Sequence, residues 1–306
     1  MFHSEEACQE YLAKIRWPDG FRCPQCKNQK HWLTARKLYH CTACGHETSL
    51  TAGTVFQDTR KPLLKWFQAI WCITSQKNGA SAWKLKEVLG LGSYQTAWTW
   101  LHKLRRAMVG PGLDRLQGNV VVLQARVGEL EKKFRCYKTM CGVTTYIAVE
   151  AKPLWMSPQM RACTNILGND FVRSTIEPGS IVINPNHTHY LILEKPPYFE
   201  VMKKNGYLFY GDSTAEVTRC IQKAWKIVSS LESWLSDTYR GTMNTQQFSY
   251  YLDEFVFRHN CKFHSPGELF YCLMQQAVAL EATPYREIIT EKKDEIRTSI
   301  FPIVPK

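Results

Sequence analysis

The sequence predicts a multidomain α/β chain, because three stretches carry three different patterns. Two Cys-x-x-Cys pairs lie near the N-terminus, at Cys23–Cys26 and Cys41–Cys44. Residues 61–108 have apolar side chains at helical spacing, and Gly118–Gly128 is a run of β-branched residues bounded by glycines. Strand and helix patterns alternate after this run, which is typical of a layered α/β domain.

Length and composition indicate about two globular domains in an intracellular protein. The chain has 306 residues and 44% hydrophobic residues, which is enough for sizeable cores. The apolar runs fall short of the roughly 18 residues of a membrane span. The N-terminal segment carries acidic side chains, Glu5 and Glu6, where a signal peptide would carry basic ones. Four of the twelve cysteines form the Cys-x-x-Cys pairs and the others are scattered. We therefore expect a reducing compartment and no membrane anchor.

Positive charge is concentrated in the first part of the chain. The net charge is +12, and residues 1–117 contain 17 Lys/Arg against 8 Asp/Glu. This imbalance predicts a polyanionic partner, of which double-stranded DNA is the usual one. A surface charge that only improves solubility is the alternative.

The cysteine pairs predict a structural zinc site. They are separated by fourteen residues, a spacing at which four thiolates can surround one zinc ion tetrahedrally. Trp32, Leu33 and Tyr39 between the pairs indicate the hairpin of a zinc ribbon, which follows a short helix over 4–16, so that residues 1–55 form the first segment. Catalytic zinc is disfavoured because four sulfurs leave no open position. The expected ligands are Cys23, Cys26, Cys41 and Cys44.

Residues 56–110 predict a helix-turn-helix segment. An apolar helix within 64–73 is followed by a helix over 81–89 that ends at Gly90, and Ser93 caps a third helix over 94–108. The N-terminal end of the third helix should reach base edges with four residues, Ser93, Tyr94, Gln95 and Thr96. Four further side chains are candidates for phosphate contacts, namely His102, Lys103, Arg105 and Arg106. A plain three-helix bundle is the alternative.

An α/β domain over 111–264 begins with the β-branched run, which reads as a strand buried on both faces. Further strands are predicted over 142–150, 160–165 and 181–184, with helices over 169–174, 215–235 and 245–261. Residues 265–306 are predicted to be a peripheral helical extension with a charged tail.

Three segments resemble the Merlin-related insertion-sequence transposases. They read YLDEFVFRHN at Tyr251–Asn260, SYQTAW at Ser93–Trp98 and WLSDTYRG at Trp234–Gly241, and the resemblance covers about residues 4–261. It implies that the α/β domain is RNase H-like and that the protein acts as a homo-oligomer. It also implies strand transfer by two Mg²⁺ or Mn²⁺ ions held by acidic or amide side chains.

The chain departs from that family at the three metal-binding positions, where it has Leu123, Pro185 and Ser230. Leucine and proline offer no side-chain oxygen, which hard cations require. The leading hypothesis is therefore a transposase-derived DNA-binding protein without a catalytic residue at these positions. One alternative is an active transposase that uses substitute acids, for which the candidates are Glu129, Asp212, Glu216 and Glu232. Another is a protein-interaction platform formed by residues 118–306.

Overall fold

The computed structural model describes residues 2–109, 115–127, 143–152, 158–164, 168–183, 208–210, 215–239 and 247–290. The chain divides into two compact units. The first, called here the N-terminal unit, is built from Met1–Pro111 and His264–Thr290. The second, called the sheet unit, contains Gly112–Phe263.

The N-terminal unit begins with helix α1 (Glu5–Arg16), whose first turn is capped by the side chain of Ser4. Three short antiparallel strands follow in the order β1-β2-β3; their bounds are His31–Leu33, Tyr39–Cys41 and Glu47–Thr48. The guanidinium of Arg16 donates to the carbonyl of Ser49 at 3.0 Å and to those of Leu50 and Ala52. Arg16 thereby joins the end of α1 to the segment that leaves the small sheet.

Three helices come next, α2 (Leu63–Ser75), α3 (Ala82–Leu89) and α4 (Tyr94–Ala107). The side chain of Pro62 has no hydrogen-bonding group and cannot cap α2. The carboxylate of Glu5 instead accepts hydrogen bonds from the N–H groups of Leu63 and Leu64, at 2.8 and 3.0 Å. A carboxylate at this end also complements the helix dipole. Helix α3 ends at Gly90 in a left-handed conformation with φ 59°.

The sheet unit contains a five-stranded mixed sheet in the order β6-β5-β4-β7-β8. Strands β4, β5 and β6 are antiparallel neighbours, and β7 and β8 run parallel to β4. The strand bounds are Asn119–Val127, Val143–Glu150, Met160–Thr164, Ile181–Ile183 and Leu208–Tyr210 for β4 to β8. The helices are α5 (Gly168–Thr175), α6 (Ala215–Tyr239) and α7 (Phe248–Asn260).

Strand β4 is buried on both faces, as the β-branched run predicted. Val121 and Leu123 face an apolar layer that also contains residues of α6 and α7, such as Leu231 and Phe255. Val120 and Val122 face a second layer that contains Phe171 and other residues of the α5 region. The alternation follows from the two-residue period of side chains along a strand.

Two C-terminal helices, α8 (Pro266–Ala279) and α9 (Tyr285–Thr290), complete the N-terminal unit. Helix α8 packs against α1, α2 and α4, and the N–H of Val55 donates to the carbonyl of Ala277 at 3.1 Å. The prediction that this segment is peripheral was wrong for α8, because its apolar face supplies buried residues to the helical core, including Phe270 and Leu273.

None of the helices in the described ranges, including the 25 residues of α6, has the combination of length and apolar character that crossing a membrane requires.

Candidate metal centre and nucleic-acid interface

The four cysteines predicted as metal ligands converge in the small three-stranded sheet. All four sulfur atoms lie within 4.8 Å of one another. The Sγ atoms of Cys23 and Cys44 are 3.6 Å apart, and those of Cys26 and Cys41 are 3.5 Å apart. Four sulfurs around one zinc at about 2.3 Å would be separated by about 3.8 Å, so the donor set fits a tetrahedral zinc ion.

Two similar turns hold these cysteines. Each Cys-x-x-Cys pair is followed by a residue in the left-handed region, Lys27 with φ 63° and Gly45 with φ 71°. The second turn directs the N–H groups of Cys44 and Ala43 at the sulfur of Cys41 and lowers the pKa of that thiol to about 6. A metal ion binds the thiolate form, so N–H groups that stabilise this form at Cys41 favour metal binding.

Within the described ranges, the four cysteines are the one group of His, Cys, Asp or Glu side chains gathered closely enough to hold a metal ion. The ribbon around them has a minimal apolar core, formed by Phe21 and the buried Cys23 and Cys41, with Trp17 and Tyr39 packed against it. Trp32, by contrast, is 52% exposed on β1. Zinc would therefore act as the main support of this fold, with no coordination position left for chemistry.

The residues expected near base edges lie at the start of α4. Ser93 caps the helix by accepting a hydrogen bond from the N–H of Thr96 at 3.1 Å. Tyr94 and Gln95 are exposed, and Thr96 is partly exposed. The first turn of α4 therefore presents polar side chains at the surface, with Ser93 committed to the helix cap.

Two of the expected phosphate contacts are turned inward. His102 is 0% exposed and its ring stacks on Trp98, and Arg105 is 2% exposed and donates to the carbonyl of Ala80 at 3.4 Å. The assignment of these two residues to phosphate was wrong in this conformation. Trp98 also contacts Tyr285, so α9 covers a side of α4 that a three-helix bundle would leave in solvent.

The other two expected phosphate contacts are partly accessible. Arg106 lies 3.9 Å from the carboxylate of Glu287 in α9 and its side chain is 40% exposed. Lys103 lines a groove of about 390 Å³, and its partial burial lowers the pKa of its ammonium, an effect that Asp58 opposes.

This groove, called here the α4 groove, gathers residues that the sequence did not single out. One wall is the exposed face of α4 with Gln95, Thr96, Thr99 and Lys103, and the other comes from the segment before α2 and from α9. That second wall includes Arg60, Lys61 and Tyr285. The Arg-Lys pair before a helix was a usable sequence signal, whereas nothing local links Tyr285 to α4.

The expected catalytic positions do not form a metal site in the described residues. Leu123 is 0% exposed inside the apolar layer between β4 and the helices α6 and α7. Ser230 is exposed on α6, and its hydroxyl donates to the carbonyl of Lys226 at 2.8 Å. Pro185 lies outside the described residues.

The candidate substitute acids give no carboxylate cluster that can be described. Glu232 is exposed on α6, Glu216 lies near the start of that helix, and Glu129 and Asp212 fall outside the described residues. In the segment that carries the family resemblance, Glu254 is 1% exposed and pairs with Arg258 at 3.0 Å. Glu254 therefore belongs to a buried ion pair one turn apart on α7.

The ribbon geometry defines a closed site of four cysteines that is suited to zinc. Residues 3–47 match the family described as the transposase zinc-ribbon domain. The chain is also 30% identical over 125 residues to an uncharacterized protein in transposable element ISH50 of Halobacterium salinarum, which is 40% of this chain and 41% of that protein. These similarities support a transposase-related protein with a zinc ribbon. No solved structure matches the chain significantly.

Proposed function

We propose that the chain is a transposase-derived, zinc-containing protein that binds double-stranded DNA through its N-terminal unit. In this proposal α3 and α4 act as a helix-turn-helix, and α4 enters the major groove with its N-terminal end. The sheet unit is an RNase H-like domain that no longer holds metal ions for strand transfer. The alternation of its strands and helices supports this class, with three antiparallel strands extended by two parallel strands.

The α4 groove is the observation that carries the DNA-binding proposal. It places Gln95 and Thr96, which can read base edges, beside Arg60, Lys61 and Lys103, which can neutralise phosphates. The adjoining ribbon adds basic side chains and matches a domain found in transposases. Together they give polar side chains that can contact base edges, flanked by positive charge, as a DNA-binding surface requires.

A salt titration of duplex binding tests this proposal. Each phosphate contact contributes about 0.9 to the slope of log K against log salt. The variant Arg60→Gln/Lys61→Gln of the zinc-loaded full chain should lower the slope by about 2 and weaken binding to all sequences alike. Lys14→Gln/Lys77→Gln is the matched control, because it removes equal charge from exposed sites outside the groove.

Two results would overturn the proposal: no binding to any duplex at low salt, or an equal loss of slope in the control. Base reading is tested separately with Gln95→Ala. In a selection from random duplexes, this variant should lose preference at one base position, worth about 1–3 kcal/mol, and should keep its salt slope.

The proposed loss of strand transfer rests on Leu123. Two-metal catalysis needs oxygen ligands on both ions, and this position supplies a buried methyl surface instead. A supercoiled plasmid that carries the gene with its genomic flanks should stay intact with zinc-loaded protein and Mn²⁺. Specific nicks that disappear without the divalent ion, and in Glu232→Ala, would establish the active transposase instead.

The resemblance also leads us to propose a homo-oligomer in a reducing, intracellular setting. Light scattering on the zinc-loaded chain, alone and with duplex DNA, would measure the assembly directly. A monomer in both states would remove this part of the proposal.

A further inference from the structure

A cavity of about 270 Å³ lies in the sheet unit. Its walls come from β4 and β5, from the middle of α6 and from the C-terminal end of α7. Asn260 fixes that end of α7 to the sheet, since its side chain accepts from the N–H of Met160 at 2.8 Å and donates to the carbonyl of Met160 at 3.1 Å. The cavity is smaller than the roughly 300–1,000 Å³ of sites for drug-sized ligands, which favours a small group.

Lysines are concentrated at this cavity. All lysines that the structure describes within Gly112–Phe263 line it, whereas none of the described arginines of that range does. They are Lys152, Lys223, Lys226 and Lys262. The described lysines of the sheet unit thus lie around one cavity.

A single described carboxylate lines the cavity, and its partners are already in place. Glu150 accepts from the N–H groups of Gln117 and Gln159 at 3.2 and 3.3 Å, and it forms an ion pair with Lys152. Lys152 is therefore compensated within the protein. Among the other lysines of the cavity, the ammonium of Lys262 lies 4.9 Å from the ring centroid of Phe263, a contact that leaves its charge uncompensated.

Lys223, Lys226 and Lys262 have no ion-pair partner among the described residues. Lys223 and Lys226 are three residues apart on α6, so their charges share a helix face and repel each other. Lys262 follows the C-terminus of α7, where the helix dipole contributes about −0.5 charge. This partial charge offsets only a small part of three ammonium groups, so the cavity keeps an excess of positive charge.

His259 adds a polar atom to the same wall. Its imidazole donates to the carbonyl of Pro158, and Nε2 is buried without a hydrogen-bond partner among the described residues. Burial, together with the charge of Lys262, lowers the pKa of His259 to about 4, so the ring is neutral at pH 7. An anion bound beside this ring would favour its protonated form and so raise the pKa of His259.

We infer that this cavity binds a phosphate group of the DNA backbone. Lysine is a common phosphate ligand because its ammonium acts as a point charge. The three lysines without a carboxylate partner give the cavity a positive charge that attracts a phosphate, and the small volume suits a single such group. The inference rests on the proposed function only for the source of the phosphate, since free phosphate has the same chemistry.

The first arm of the test uses inorganic phosphate and the zinc-loaded full chain. Replacing chloride by phosphate at equal ionic strength should raise the melting temperature and move the NMR titration of His259 above pH 4. The variant Lys223→Gln/Lys226→Gln/Lys262→Gln should bind phosphate at least tenfold more weakly. The control Arg126→Gln/Arg173→Gln/Arg219→Gln removes equal charge from exposed sites of the same unit and should bind as the parent does.

The second arm measures duplex binding against salt for the same proteins. Loss of the one phosphate held in the cavity should lower the slope by about 0.9, and the control should leave it unchanged. If only phosphate binding falls in the lysine variant, the site takes free phosphate and the DNA assignment is overturned. If neither arm distinguishes the lysine variant from its control, the cavity is not a phosphate site. The phosphate arm gives its answer even if the chain binds no DNA.

Discussion

The zinc ribbon and the five-stranded sheet are held together by different means. The ribbon has few buried apolar side chains and gathers four sulfurs within 4.8 Å, whereas the sheet lies between two continuous apolar layers. Loss of a cysteine would therefore remove the support of the ribbon fold. Leu123 stabilises its unit without a metal, because burial of an apolar side chain there contributes about 1.5–3 kcal/mol to the free energy of unfolding. Folding of the ribbon requires a metal site, whereas the core around Leu123 is stabilised by apolar burial alone.

The largest effect is expected from Cys41→Ser, which tests the dependence of the ribbon on its metal. Substitution of residues that hydrogen-bond to metal ligands typically lowers metal affinity about 10–100-fold. Loss of a ligand itself should lower the affinity further. We expect zinc content to fall from one ion per chain to near zero, with residues 19–48 becoming sensitive to protease. Atomic emission and limited proteolysis measure the two results.

Cys220→Ala is the control for this prediction, since it removes a thiol from the sheet unit. It should leave both zinc content and ribbon protection unchanged. If Cys41→Ser kept a full complement of zinc and a protected ribbon, the contrast between the two units would be wrong.

Leu123→Asp tests the sheet side of the comparison. A carboxylate without a partner in the apolar layer should lower the free energy of unfolding by about 3–5 kcal/mol. Leu123→Met keeps the volume and should cost less than about 1.5 kcal/mol. Urea unfolding in EDTA and in Mn²⁺ measures both variants, and Mn²⁺ should give neither any advantage.

A different outcome for Leu123→Asp would be informative. If Mn²⁺ restored its stability and left the parent unchanged, a carboxylate at this position would complete a cation site with other acids of the unit. The proposal that the metal pocket is lost would then reduce to the loss of one ligand, and the active-transposase alternative would gain support.

Features that depend on local pattern were predictable from the sequence. The cysteine spacing predicted the four sulfurs that the fold brings within 4.8 Å of one another. Gly90 and Ser93 marked the end of one helix and the start of the next, and the run at Gly118–Gly128 predicted a strand buried on both faces. Each of these features depends on residues close together in the chain. Such local features can therefore be predicted from the sequence without knowledge of the fold.

Features that depend on distant segments were not predictable. His102 and Arg105 look like surface residues of a basic helix, yet they are buried. Helices α8 and α9, which pack against α4, come after the whole sheet unit in the sequence. Large separation in the sequence is also the reason why the contribution of Tyr285 to the α4 groove and the grouping of Lys152 with Lys262 were not predicted. Sequence periodicity identifies the apolar face of a helix. It does not show which distant segment buries the polar face of that helix.

The smallest effect concerns His259, and it tests whether acidification affects the sheet unit through one side chain. Burial lowers the pKa of His259 to about 4, from an unfolded value near 6.5. Between these values the unfolded chain binds a proton that the folded chain does not, so stability falls as pH decreases from about 6.5 to about 4. The loss should reach at most about 3 kcal/mol.

His259→Gln should remove this slope, because glutamine does not titrate and can keep a hydrogen bond to Pro158. His264→Gln, which changes an exposed histidine, is the control and should leave the slope intact. Urea midpoints of the full chain between pH 4 and pH 7 measure all three proteins. A phosphate in the lysine cavity would favour the protonated ring, so phosphate buffer should flatten the slope of the parent and leave that of His259→Gln unchanged. An equal slope in parent and variant would mean that other groups cause the acid sensitivity.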